Sequence, residues 1–167
     1  METSKDQIIR NPWEEIYELN KKICDSDKSN PNLQGFKSLL RPIDDLLMFN
    51  TIRFGFGRQN GKTEWIIQNK DDTTLCIVLG GKDSSEFVRR WAEHEKLQNR
   101  DNRKCFICTP TLYSVSGVVN NFNKVFTKII VDDASFVNSK KLREILEFLF
   151  EQERIDPDNL PELILVG

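Results

Sequence analysis

Apolar positions along the chain switch repeatedly between helical and extended spacing, and the switches predict the order of its elements. In "NPWEEIYELNKKI" (11–23), Pro12 suits a first helical turn after Asn11, with Trp13, Ile16, Tyr17 and Ile23 as an apolar stripe. The following "CDSDKSNPNLQG" (24–35) is polar and rich in turn formers, and predicts a loop. A second helix is expected at Pro42–Phe49. Beyond it, "IRFGFG", "TLCIVLGG", "KCFICTP", "FTKIIVDDA" and "ELILVG" read as strands. Between them, "KTEWIIQNK" reads as a short helix. "SSEFVRRWAEHEKL" reads as a helix capped by Ser84 or Ser85, with Phe87, Val88 and Trp91 apolar. "SKKLREILEFLFEQE" places Leu142, Ile145, Leu146, Leu149 and Phe150 at helical spacing. Strands separated by helices imply an α/β fold, a three-layer sandwich around a mainly parallel sheet of about five strands.

Composition narrows the class without choosing a function. A chain of 167 residues with 38% hydrophobic and 30% charged residues can bury its own core without disulfides or a structural metal. A formal net charge of −2 supplies no global positive field, so contact with DNA requires a local patch or a partner subunit. Cys24, Cys76, Cys105 and Cys108 lack paired zinc-ribbon spacing, and the last three sit in apolar runs, where they read as buried thiols. On a strand, Cys105 and Cys108 point to opposite faces. His94 lies on a charged helix, and "RRWAEHEKLQNRDNRK" (89–104) reads as a solvated face rather than a nucleic-acid surface. With no long apolar segment and no secretory N-terminus, membrane contact and secretion are not expected, and a reducing cytoplasm is.

Two stretches carry chemistry. "GFGRQNGKT" (55–63) lies between a strand and a helix, where a phosphate tail needs inward-turned amides, a helix N-terminus, a cation and a hydroxyl for magnesium. Gly57 and Gly61 allow the backbone to wrap, Lys62 can reach the β and γ phosphates, and Thr63 can hold Mg²⁺. The nucleotide-binding loop is then Gly57, Arg58, Gln59, Asn60, Gly61, Lys62 and Thr63. The usual first glycine position holds Phe56, with Gly57 one residue later. A glycine-rich turn with an exposed lysine is the competing reading. In "KIIVDDASF" (128–136), a strand would deliver Asp132 and Asp133 to the carboxyl edge of the sheet. There Asp132 can hold Mg²⁺ and Asp133 can orient an attacking water, or the pair can serve only as a cap or turn. Arg58 is either a charge-stabilising group for phosphoryl transfer or a solvated arginine. The catalytic candidates are Asp133, Arg58 and Lys62.

"RQNGKT" (58–63) and "IIVDDASFV" (129–137) resemble the Walker A and Walker B segments of the large terminase subunits, the DNA-packaging P-loop ATPases of tailed bacteriophages and related viruses. "LLRPIDDLL" (39–47) resembles the upstream adenine-side segment of that family, with Ile43 and Asp44 in place of its aromatic residue and glutamine. The resemblance implies a P-loop NTPase fold of the additional-strand (ASCE) type, with the two motifs on non-neighbouring strands. It covers 39–167 as the ATPase core, preceded at 1–38 by the helix and polar loop, with no nuclease domain expected in this chain. It further implies ATP as substrate, Mg²⁺ held by Thr63 and Asp132, and phosphates held by Lys62. Asp133 takes the place of the catalytic glutamate, one methylene shorter, which implies slow hydrolysis or reliance on a neighbouring subunit. Expected partners are double-stranded DNA reached through an assembly, a homo-oligomeric ring, and portal or other packaging subunits. The expected location is the host cytoplasm and, transiently, the viral procapsid. Two other readings remain open: a nucleotide-binding assembly or regulatory protein that does not hydrolyse, and a nucleoside kinase of the thymidine kinase type.

Overall fold

The computed structural model describes residues 12–55, 61–80, 82–97 and 106–167. Helices α1 (Pro12–Ser29), α2 (Pro31–Lys37) and α3 (Pro42–Phe49) lead into strand β1 (Thr51–Phe54). Then follow α4 (Lys62–Asn69), β2 (Thr74–Ile77), α5 (Lys82–Leu97), β3 (Phe106–Cys108), α6 (Leu112–Asn121), β4 (Lys128–Asp132), α7 (Ser139–Glu151) and β5 (Glu162–Val166). All strand pairs are parallel, in the order β1-β5-β4-β2-β3.

Buried parallel strands are apolar on both faces. Leu75, Ile77, Ile129, Val131 and Leu163 face α3, α6 and α7, where Leu46, Val115, Ile145 and Leu146 complete one core. Ile52, Phe54, Cys76, Ile130, Ile164 and Val166 face α1, α4 and α5, where Trp13, Tyr17, Trp65, Phe87 and Trp91 complete the other. The crossovers β1-to-β2 and β2-to-β3 run one way along the sheet, and the next two run back. That reversal puts α4 and α5 on one face and α6 and α7 on the other, as right-handed crossovers require. Among the described residues no helix is long and apolar enough to cross a membrane.

Several local expectations are corrected. The polar segment 24–35 is helical: α1 runs to Ser29, and α2 starts with Pro31 at its first turn under an Asn30 cap. On α1 the inner stripe is Trp13 and Tyr17 with Ile16 and Cys24 partly buried beside them, while Ile23 turns outward and is 55% exposed. Helix α5 begins at Lys82, so Ser84 and Ser85 lie within it rather than capping it. Its buried pair is Phe87 and Trp91 at i,i+4, which leaves Val88 outside the stripe. Cys76 and Cys108 are buried thiols, and burial pushes Cys108 up to about 12; Cys105 and residues 98–104 lie outside the described residues.

Candidate functional site

The register of the sheet builds the site. Phe54 of β1 pairs with Val166 of β5, and Val166 pairs on its other side with Asp132 of β4. These three residues form one row at the carboxyl edge. The chain leaving β1 is therefore two strand spacings, about 10 Å, from Asp132. Gly55 follows β1, and Gly61 leads into the first turn of α4.

Gly61 precedes α4 in the left-handed conformation, φ 76°, and its carbonyl accepts the first helical hydrogen bond from the Trp65 amide at 2.9 Å. Among the described residues nothing lies within 4 Å of a Cβ at Gly61, so its glycine answers to backbone angle rather than to crowding by them. Having no side chain, it cannot cap the first amides of α4, where the positive end of the helix dipole lies. Trp65 anchors the same turn. Its ring is 1% exposed, lies 5.1 Å edge-on to Phe54, and donates from Nε1 to Glu14 at 2.9 Å. This packing fixes where Lys62 starts.

From the opposite side, β4 delivers two carboxylates. The apolar run Ile129–Val131 is fully buried and ends at Asp132, whose Oδ1 accepts the Asp133 amide at 2.9 Å. That bond suits the left-handed backbone of Asp133, φ 52°, a conformation that a short acidic residue tolerates. The Lys62 ammonium bridges both acids, with Nζ 3.0 Å from Asp132 Oδ1 and a hydrogen bond to Asp133 Oδ1. Asp132 is the more enclosed acid, its side chain 13% exposed against 32% for Asp133. Burial raises the Asp132 carboxyl despite the pull of Lys62. For Lys62, burial works against the charge, but Asp133 and Asp132 outweigh it and the ammonium is held above its usual range.

Lys62, Asp132 and Asp133 are thus brought together, and Thr63 follows on the first turn of α4. Gly57, Arg58, Gln59 and Asn60 lie outside the described residues. The donor set suits Mg²⁺, which is usually held by one or two carboxylates plus phosphate and water rather than a protein cage. No group of three metal-ligating acids, histidines or cysteines occurs among the described residues. A cation, the Lys62 ammonium, already sits between the two carboxylates.

Ile43 and Asp44 lie on α3. Ile43 is 5% exposed in the core, and Asp44 is paired with Arg41 at 3.0 Å and with Arg143 of α7 at 2.6 Å. These residues lock α3 to α7. Sequence reasoning missed Gly55. A Cβ there would lie 2.5 Å from the Gly167 carbonyl oxygen, while the Gly167 amide donates to the Phe54 carbonyl at 3.0 Å. Gly167 in turn neighbours Ser135, two residues beyond Asp133. The only trace of this in the sequence is a glycine at a strand end, because its partner lies at the other end of the chain.

Comparison with protein-family models, curated proteins and solved structures finds no match to this chain.

Proposed function

We propose that this chain binds a magnesium-complexed nucleoside triphosphate at the carboxyl rim of its sheet and hydrolyses it, as the ATPase core of a terminase-like DNA-packaging motor. One observation carries the reading: Lys62, opening α4, reaches Asp132 and Asp133 at the end of a strand that is not a neighbour of β1. A strand between the two motifs is what the additional-strand P-loop type would have, and the order β1-β5-β4 supports the reading in that respect.

In this reading the amides of the loop and of the first turn of α4 wrap the phosphate tail, with Gly57, Gln59 and Asn60 in the loop. Lys62 neutralises the β and γ phosphates, and Arg58 stabilises charge on the transferred group. Thr63 and Asp132 would hold Mg²⁺, which would supply charge neutralisation across the phosphates. Asp133 orients the attacking water. Double-stranded DNA, ring neighbours and portal or other packaging subunits are the partners, and the infected cytoplasm and procapsid the setting. A second reading, nucleotide binding without hydrolysis, is favoured by Asp133, which is short for a water-positioning acid and is already bonded to Lys62.

Phosphate release from ATP with Mg²⁺, with and without double-stranded DNA, tests the proposal. The parent should release phosphate, Lys62→Ala should lose nucleotide binding, and Asp132→Ala should lose turnover. Stimulation by DNA supports the motor assignment. ATP binding without release in either condition moves the conclusion to the second reading.

A further inference from the structure

The Lys62 ammonium makes its bonds to the two acids that the proposed mechanism needs elsewhere. Its side chain is 15% exposed, so little water competes for it. Both acids come from one turn: Asp132 ends a buried strand, and Asp133 has a left-handed conformation with its amide on the Asp132 carboxylate. With both carboxylates ionised, the cluster carries a net single negative charge even though it contains the cation meant for phosphate. A metal-free triphosphate approaching it meets a neutralised lysine and an excess acid.

We propose that the Lys62–Asp132–Asp133 cluster is a charge latch that closes the ligand-free site, with Asp133 competing against phosphate for Lys62. This rests on the nucleotide reading above and adds a regulation to it. Opening the latch exchanges partners of like charge: Lys62 leaves the acids for phosphate only when a second cation arrives to replace it between them. The site therefore prefers magnesium-bound triphosphate and discriminates against metal-free ATP and free inorganic phosphate. Asp133 consequently has two duties, restraining Lys62 before binding and facing the water afterwards.

The test reads Lys62 directly and needs no turnover. Brief acylation of ligand-free protein, followed by mass spectrometry, compares Lys62 with Lys140, whose side chain is 85% exposed. It is run on the parent and on Asp133→Asn. Asparagine tolerates the left-handed backbone and keeps the burial, so this variant changes charge alone. Calorimetry then measures ATP binding to both proteins with and without Mg²⁺. The latch predicts slow labelling of Lys62 in the parent, labelling several-fold faster in Asp133→Asn, and metal-free ATP bound on the order of tenfold tighter by the variant. Unchanged Lys62 labelling with ATP binding intact overturns the latch and leaves the nucleotide reading standing. Faster labelling with no ATP binding by either protein supports the latch contact and overturns the nucleotide reading.

Discussion

Gly55 approaches Gly167 so closely that a methyl group on Gly55 would lie 2.5 Å from the Gly167 carbonyl oxygen and 2.9 Å from its carbonyl carbon. Backbone cannot rotate away as a side chain can, so Gly55→Ala must part β1 from β5 at the carboxyl rim. The expected cost is about 3 kcal/mol, the upper end for overpacking, with a fall in Tm of about 2–4 °C per kcal/mol for a chain of this size. Gly167→Ala meets only Ser135 at 3.9 Å, an ordinary contact, and should melt close to the parent. Thermal denaturation of the two variants side by side checks the contrast.

Gly61 is a glycine for a different reason, and the difference is measurable. Among the described residues nothing lies within 4 Å of a Cβ at this position, but its φ is 76°. Gly61→Ala should cost about 1–2 kcal/mol of left-handed strain, and Gly61→Asn less, because asparagine tolerates that region. Urea denaturation of the three proteins gives the order.

Trp65 ties the first turn of α4 to α1 and β1. Trp65→Phe keeps the ring contacts with Phe54 and Tyr17 but loses the hydrogen bond to Glu14, at a cost of about 1 kcal/mol. Trp65→Ala also removes the ring and should cost about 3–5 kcal/mol. If Trp65 sets the position of Lys62, the alanine variant also labels faster at Lys62 under conditions where it remains folded.

At the opposite edge, Glu162 accepts from Tyr17 at 2.7 Å and pairs with Lys21 at 2.6 Å, joining β5 to α1. Burial alone would raise the Glu162 carboxyl, but Lys21 and Tyr17 outweigh it and hold it below its usual value. A carboxyl depressed on folding contributes stability above its unfolded pKa, about 4.3. That contribution disappears as pH falls through the lower folded value. Glu162→Gln should therefore be destabilised by about 1–2 kcal/mol at pH 7, and the gap should narrow in acid. A gap that stays constant from neutral pH into that acid range would contradict this account.

Layering and strand type were legible because buried parallel strands print as unbroken apolar runs such as Ile129–Val131, and α7 as a strong 3.6-residue stripe. Helix α6 was not legible. Its "LYSVSGVVNN" carries β-branched residues and a glycine, buries only Val115 and Val119, and is held by a Thr111 cap onto the Ser114 amide. The span 24–35 looked like a loop because asparagine and proline serve turns and helix starts equally. The meeting of Lys62 with Asp132 could be anticipated, since both stretches end at the carboxyl edge of parallel strands. The bond from Lys62 to Asp133, and the part played by Gly55, depend on contacts between segments distant in the chain.

Equilibrium binding of ATP with Mg²⁺ to the parent and to Lys62→Ala is the sharpest check on the proposal that Lys62 and Asp132 together grip a magnesium-bound triphosphate. The parent should bind saturably and the variant with affinity weaker by at least about tenfold, with both proteins equally folded by circular dichroism. Equal affinity in the two proteins, or no binding by the folded parent, would contradict it.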